Sequence, residues 1–515
     1  MKMKSIYKLV LSLGIILGSI SCSDFFDVDL GDKVPTEDAY QNLSDVNAVS
    51  NGIYAAIAAD VHKLFLWGSA RADFVLEGKG GDAYVSQFVR NNVTAENPYT
   101  NYGFLYKAIA RCNHQLANLH RMKPDGDNLR AEDWYIFYGE AYFVRAWCYF
   151  MLVRTFENVP LVVEEICDEV IYVDDDGNEI KNHTIKMTEE ELRAVALKPA
   201  NEQVIWKQIV SDLSKSMDFF YSFIRFYPGW GDDEKDKPWW KMRGNIYAAY
   251  TLSADVALWL KEYDRASNFA DFVVKRNLLG NRSTWYQQYL SLNNVAAAAS
   301  YNCFGMLYHY AGGYFNSQRM QEFTSPIESD GGRYLVKPAV DPLSRLFDNE
   351  DDVRKNATWM RIGRYDVIWK YIGLDLEGKS MREPYRSDAF FYLIKNMEAY
   401  SIKGIAECRK GNSEAAFQML NKIRYARGMW EYEEGSINMD VKNLERLLFE
   451  ERARETAFEG KRWYDLLFRE TVLGENGIIA ETVSAKFVGA EKEEVRSRLF
   501  DRKNWYLPIE PERWK

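Results

Sequence analysis

Helix-length stretches with apolar residues at three- and four-residue spacing, set in pairs with short turns between them, constrain this chain's fold more than any other feature. Such spacing gives each helix an apolar face that must be buried against a neighbour. The first stretch runs from Thr36, a candidate N-cap, to Ala59, with Tyr40, Leu43, Val46, Val49, Ile53 and Ile57 on one stripe. Phe104 to Arg121 and Glu132 to Phe156 follow as an antiparallel pair around the turn Lys123, Pro124, Asp125, Gly126. Further helices are predicted over Glu202 to Tyr221, Asn245 to Leu260, Arg265 to Arg276, Asp388 to Cys408, Ser413 to Arg427 and Val441 to Phe468. The fold class is therefore mainly α.

Two junctions refine that reading. Tyr263, Asp264, Arg265, Ala266 and Asn412, Ser413, Glu414, Ala415 each follow one helix and open another, with alanine where helices approach closely. They resemble degenerate tetratricopeptide units, so the 515 residues, which length alone divides into about three domains, read as one helical-repeat body over 36–515. Three segments break the helical period. Residues 60 to 100 carry Gly and Asn-Pro turn signals, and 166 to 200 reads as an inserted hairpin. The third, about 277–387, is a loop-rich insertion with short strand-like runs, where binding residues concentrate on a rigid frame.

Composition excludes several functions. The net charge of -10 argues against a phosphate backbone as the main partner, so no nucleic-acid partner is predicted. No two of the five histidines stand at i, i+4 and no Cys-x-x-Cys occurs, so neither a metal nor a cofactor is predicted. Asp174, Asp175 and Asp176 fail as a calcium loop, because with Gly177 at the turn the last ligand would be His183. Gly373 to Ser380 matches the phosphate-loop expression, but Pro384 would interrupt the helix that must follow, and Asp375 and Glu377 would repel the anion. The Glu451, Arg452, Ala453, Arg454, Glu455 run and Arg145 read as ion pairs of the frame. At the N-terminus, Lys2 and Lys4 precede an apolar run from Leu9 to Ile20 that is too short to span a bilayer, and Cys22 follows Ser21. This resembles a lipoprotein signal: 1–21 would be the signal peptide, Cys22 the lipidated first residue and 22–35 a tether.

What remains distinctive is aromatic content, 15% of the chain, with 33 Tyr and 15 Trp. Here family motifs enter. Gly139 to Val153 (GEAYFVRAWCYFMLV), followed by Phe156 and by Val159, Pro160, Leu161, resembles the signature helix of the SusD/RagB family of outer-membrane nutrient-binding lipoproteins of Bacteroidetes. Asn421 to Arg424 with Ala426, Arg427 and Gly428, Glu450 to Glu455 with Phe458 to Leu466, and Leu507 to Ile509 with Pro511 and Glu512 resemble its later motifs in order. Trp369, Lys370 and Tyr371 resemble its Lys-Tyr strand. Glu157 departs from the pattern, standing where the family usually has glycine.

The resemblance implies a SusD-like fold and a non-enzymatic surface protein. It would bind an oligosaccharide and pass it to a SusC-like TonB-dependent transporter, held to the outer membrane by its lipid. Sugar CH faces pack on Trp or Tyr, while Asn, Asp and Arg satisfy hydroxyls. The expected ligand residues are Trp67, Arg71, Asp73, Tyr99 and Asn101 from the first irregular segment, and Trp285, Tyr289, Tyr314 and Asn316 from the second. Two other classes compete: a helical glycoside hydrolase, which requires a paired acid and base in a cleft, and a tetratricopeptide-type protein-binding scaffold of the cell envelope, which would bind no glycan.

Overall fold

The protein, seen in a computed structural model, is described over residues 40, 42–121, 134–164, 199–226, 243–280, 282–285, 302–306, 308, 319–328, 331–381 and 389–509. The expected signal peptide, Cys22, the expected tether, most of the 166–200 insertion, Tyr289, Tyr314 and Asn316 lie outside the described residues.

The architecture is mainly helical, as the periodicity requires. The longer helices are α1 (Leu43–Ala58), α2 (Gly103–Asn118), α3 (Trp134–Phe156), α4 (Glu202–Phe226), α5 (Ile246–Trp259) and α6 (Tyr263–Val274), then α7 (Asn396–Arg409), α8 (Ser413–Ala426), α9 (Val441–Thr456), α10 (Arg462–Thr471), α11 (Ile478–Ser484) and α12 (Gly489–Leu499). From α1 to α8 each packs on the next, and α9 closes on α7 and α8. Because α6 lies directly against α7, the whole 277–387 excursion leaves the helical stack and returns to the place it left. Side-chain caps fix the starts: Asn42 and Asp45 form a reciprocal box at α1, and Asn245, Asn412 and Asp440 accept backbone N–H groups at α5, α8 and α9.

Helix α3 is buried on every side from Gly139 to Phe156 except at Tyr142, which is why its sequence is apolar almost throughout. Of its two buried cations, Arg154 stacks over Phe150 and Tyr464, while Arg145 makes two parallel bonds to the Asp212 carboxylate on α4, at 2.8 and 2.7 Å, and also reaches Asn113 and the Val163 carbonyl. Arg145 is thus the paired structural charge its setting suggests.

Short antiparallel strands tie the irregular segments together: β1 (Val75–Glu77) pairs with β5 (Val336–Pro338), β2 (Val159–Pro160) with β3 (Pro199–Ala200), β4 (Asn302–Met306) with β8 (Phe391–Lys395), and β6 (Met360–Ile362) with β7 (Tyr365–Val367). The β2–β3 pair closes the base of the 166–200 insertion. The β1–β5 pair brings the first irregular segment against the second.

Four expectations need correction. Residues 60–100 are not plain loop: they hold short helices at Val61–Phe65 and Ala83–Arg90 and a π-helical turn at Leu66–Ala70. Asp388 to Cys408 is not one helix, because Phe391 to Lys395 are all buried in a strand before α7 begins; a run buried on both faces carries no period to read. Val441 to Phe468 is two helices, α9 and α10. The break falls at Phe458 and Gly460, both in the left-handed region at φ +66° and +73°. There the backbone of Gly460 meets that of Gly68 so closely that a β-carbon on Gly68 would lie 1.8 Å from the Gly460 carbonyl oxygen. Finally, Trp369, Lys370 and Tyr371 form a short helix, Trp369–Ile372, after β7 rather than a strand.

The excursion is fastened to the stack by a buried seam of charge. Glu455 on α9 accepts from Trp285 Nε1 at 2.9 Å and from Arg427 Nε at 2.8 Å, and lies 3.5 Å from Arg354 Nη1. Arg354 also pairs with Asp352 and Glu451, each at 2.7 Å. Lys370 and Lys395 both reach Glu459 at 2.9 Å. Burial alone would raise the Glu455 carboxyl, but Arg427, Lys395 and Arg354 outweigh it and hold the group well below the usual carboxylate range. The Glu451 to Glu455 run is therefore a structural hub. The phosphate-loop match fails on its own geometry as well: the Asp375 carboxylate accepts the backbone N–H groups of Glu377, Lys379 and Ser380, filling the cradle an anion would need.

Candidate functional site

Where the two irregular segments meet beside β1 and β5, they form a half-open aromatic edge. Asn97 starts it: its side chain caps the turn Pro98–Thr100 by accepting from Tyr99 N at 3.0 Å, while its amide donates to the Tyr84 carbonyl at 2.9 Å. The turn presents Tyr99, half-buried, with its ring 6.1 Å from Phe323 and 6.0 Å edge-on from His62. Phe323 is fully buried and backs the edge; Tyr84, 46% exposed, stands on the neighbouring helix Ala83–Arg90. Among the described residues the Tyr99 hydroxyl makes no hydrogen bond, so it is available to a ligand. Burial, then the Asp82 carboxylate, raises its pKa, which keeps it a neutral donor.

Charges border the rings. Arg319 pairs with Glu322 at 3.0 Å, and Arg333 bridges Glu322 at 3.1 Å and Asp82 at 3.2 Å. These side chains are partly solvated, Arg319 at 41% and Arg333 at 47% exposure, so their pairs exchange readily with hydroxyl groups. Asn101 is exposed; its side chain caps Gly103 N at 2.7 Å and its carbonyl accepts from Lys63 at 3.1 Å. His62 lies beneath, with its Nε2 3.4 Å from Arg319 and its Nδ1 unpartnered. Burial, then Arg319, lowers the His62 pKa to about 3, so the ring is neutral.

The structure separates the residues predicted to bind ligand into two groups. Tyr99 and Asn101 come together on this edge. Trp67, Arg71, Asp73 and Trp285 do not face it, because their contacts are spent within the frame. Trp67 is fully buried between Phe104 and Phe156, and its Nε1 donates to the Tyr99 carbonyl at 2.8 Å, so it supports the tyrosine from within the frame. Arg71 stacks 3.8 Å over Trp463 and donates to Asn91 and to the Asn504 and Trp505 carbonyls. Asp73 is buried in a double hydrogen bond with Arg462 at 2.9 and 3.0 Å, and Trp285 belongs to the charge seam. Tyr289, Tyr314 and Asn316 lie outside the described residues. Sequence reading missed Tyr84, Arg319 and Arg333. Asp82 before Ala83–Arg90, which accepts from Tyr84 N and Val85 N, was the available signal for the first of these; nothing local marks the other two.

Comparisons with known proteins bear on the family and the fold. A family model described as "Starch-binding associating with outer membrane" matches residues 24–222, and one described as "SusD family" matches 392–513. The SusD-like protein P38 of Formosa agariphila is 21% identical, with 90% of each chain covered. A SusD superfamily protein from Bacteroides vulgatus superposes with a TM-score of 0.68 at 16% identity, covering 92% of this chain and 97% of that one. A laminarin-binding SusD-like protein gives 0.63 at 17%, covering 91% and 96%. Among the described residues no helix is long and apolar enough to cross a membrane.

Proposed function

Since the chain belongs to the SusD/RagB family of outer-membrane-associated binding proteins, we propose that it captures an oligosaccharide at the Tyr99 edge and delivers it to a SusC-like TonB-dependent transporter. The observation that carries this reading is the half-exposed Tyr99, with an unbonded hydroxyl, set among solvated charges where two separate irregular segments join. An aromatic ring that packs on sugar CH groups, bordered by donors and acceptors that can exchange partners, binds carbohydrate without reacting with it. The laminarin-binding neighbour supports the ligand class.

Tyr99 and Asn101 supply the first contacts, with Tyr84, Arg319 and Arg333 around them; Tyr289, Tyr314 and Asn316 complete the set. Lipidation at Cys22 holds the protein at the cell surface, where retention beside the transporter raises the effective ligand concentration that a shallow site needs. Titration of the full-length, detergent-solubilised protein with a panel of neutral and acidic oligosaccharides tests the binding step. Release of reducing ends during the titration, or no binding across the panel, would refute it. Co-purification of a TonB-dependent barrel from outer membranes tests the partner.

A further inference from the structure

A second aromatic surface lies on the helical stack and shares no residue with the Tyr99 edge. Trp430 is 81% exposed and Tyr425 is 73% exposed, in and just before the loop that follows α8. The loop is not slack. Gly428 turns it at φ +84°, Met429 N donates to the Arg424 carbonyl at 3.0 Å, and Arg424 Nε donates to the Trp430 carbonyl at 3.1 Å. Asn421 brackets Tyr432 with two bonds of 2.9 Å, and the Arg424 guanidinium stacks 3.9 Å over the Tyr432 ring. The backbone on both sides of Trp430 is thus fixed while its ring is left in water, the preorganised display that reduces the entropy lost on binding.

Beside the two rings opens a cleft of about 560 Å³, within the range of small-molecule sites. Its walls carry Arg282, Lys422, Asn277 and Glu431. Among the described residues none of these four side chains has an ion-pair or hydrogen-bond partner, in contrast to the fully paired arginines of the buried seam. Two cations against one carboxylate make the wall positive in a chain whose net charge is -10.

We propose that this cleft is a second carbohydrate site, selective for oligosaccharides bearing carboxylate or sulfate groups. Trp430 and Tyr425 pack on sugar faces, Arg282 and Lys422 meet the anionic groups, and Asn277 bonds to hydroxyls. A flat protein-binding patch does not call for a concave cleft that sets unpaired polar and charged side chains beside exposed rings, so a glycan fits the geometry better than a partner protein.

The test is calorimetric titration of the full-length, detergent-solubilised protein with an oligogalacturonate, a sulfated galactan oligosaccharide and a neutral oligosaccharide of matched length. At least one anionic ligand is expected to bind more tightly than the neutral one; which one binds separates carboxylate from sulfate recognition. Trp430→Ala should weaken that binding at least tenfold. The double variant Arg282→Ala, Lys422→Ala should abolish the salt dependence of the anionic binding and lower its affinity to that of the neutral ligand, while Tyr99→Ala weakens binding at the Tyr99 edge and leaves the anionic binding at this cleft with its affinity and salt dependence. Because the Trp430, Arg282 and Lys422 side chains are exposed, thermal melting of those variants should match wild type. The proposal is overturned if no anionic oligosaccharide binds wild type, if Trp430→Ala with a normal melt binds as wild type does, or if Tyr99→Ala removes the anionic binding instead. It is also overturned if Trp430→Ala keeps its sugar affinity but no longer co-purifies with the transporter, which would make the surface a protein interface.

Discussion

Trp285 and Tyr99 come from the two irregular segments and both looked like platforms for sugar, yet they differ in what their neighbours leave unsatisfied. At the seam, Trp285 is fully buried and its one donor ends on Glu455, which also serves Arg427 and Arg354. At the edge, Tyr99 is half in water, its hydroxyl is unbonded, and the arginines beyond it hold partners in solvent where exchange is cheap. The same residue types build a clamp in one place and the proposed receptor in the other. Residue type alone therefore does not mark a binding site; leftover bonding capacity does.

The largest effect should come from emptying the centre of the clamp. Glu455→Ala leaves Arg354, Arg427 and the Trp285 N–H buried without their shared acceptor, and breaking such a pair costs roughly 3–5 kcal/mol. Urea denaturation should show that loss, with the protein failing to accumulate at 37 °C. A loss under about 1 kcal/mol would mean that the seam is solvated like the edge, and the contrast between the regions would fail.

The edge has a buried member of its own, His62, which makes it sensitive to milder acid than the depressed Glu455 carboxylate of the seam. The folded His62 pKa of about 3 lies below the unfolded value of about 6.5, first because of burial and then because Arg319 faces it; Asp60 opposes and Lys63 adds to the shift. Between those two values the unfolded chain holds a proton that the folded chain refuses. Stability should fall as pH drops from about 6.5 towards 3, by on the order of 5 kcal/mol in all. Comparison of wild type with His62→Gln, which keeps an acceptor and does not titrate, isolates this term. Parallel stability curves for the two proteins across that window would show that His62 is solvated.

Smaller still is the effect at the edge's outer ring. Tyr99→Ala should weaken oligosaccharide binding about tenfold, worth about 1.4 kcal/mol, with little change in urea midpoint. Trp67→Ala should do the reverse in kind, costing roughly 3–5 kcal/mol of stability through the cavity it leaves. A Trp67→Ala protein that melts normally but no longer binds would restore that residue to the ligand surface.

These substitutions also show where sequence reading reached and where it stopped. The helical stack was legible because a 3.6-residue period is local information: α2, α3, α5, α6 and α8 fall within a few residues of their expected ends. Arg145 and the Glu451 to Glu455 run were legible as ion pairs because a cation or carboxylate inside an apolar helix must find a partner. β8 was missed because five consecutive buried residues have no period. The break between α9 and α10 was missed because its cause, the contact of Gly460 with Gly68, is nearly 400 residues away in sequence. The site was only half legible for a related reason. Tyr99 and Asn101 sit in a marked turn, whereas the burial of Trp67 and the arrival of Arg319 beside His62 depend on long-range packing that no local signal records.

The smallest effect tests the contrast from the solvent side. Glu157 follows the last residue of α3 at φ +65°, with its N–H bonded to the Val153 carbonyl at 3.0 Å, and it stands where resemblance to the family leads one to expect glycine. A side chain in this left-handed region costs about 1 kcal/mol relative to glycine. In return, its carboxylate accepts from Arg502 at 2.5 Å, but the Arg502 side chain is 58% exposed, and exposed pairs contribute only about 0.2–1 kcal/mol. If solvated pairs are as weak here as the proposed readiness of Arg319 and Arg333 to exchange partners requires, the backbone term wins and Glu157→Gly raises stability by about 0.5 kcal/mol. The urea midpoint should then rise with an unchanged slope, and Arg502→Ala should cost almost nothing in either background. A fall in stability, with Arg502→Ala costing clearly more beside Glu157 than beside glycine, would show that solvated pairs on this protein hold firmly, and Arg319 and Arg333 would then belong with the clamp.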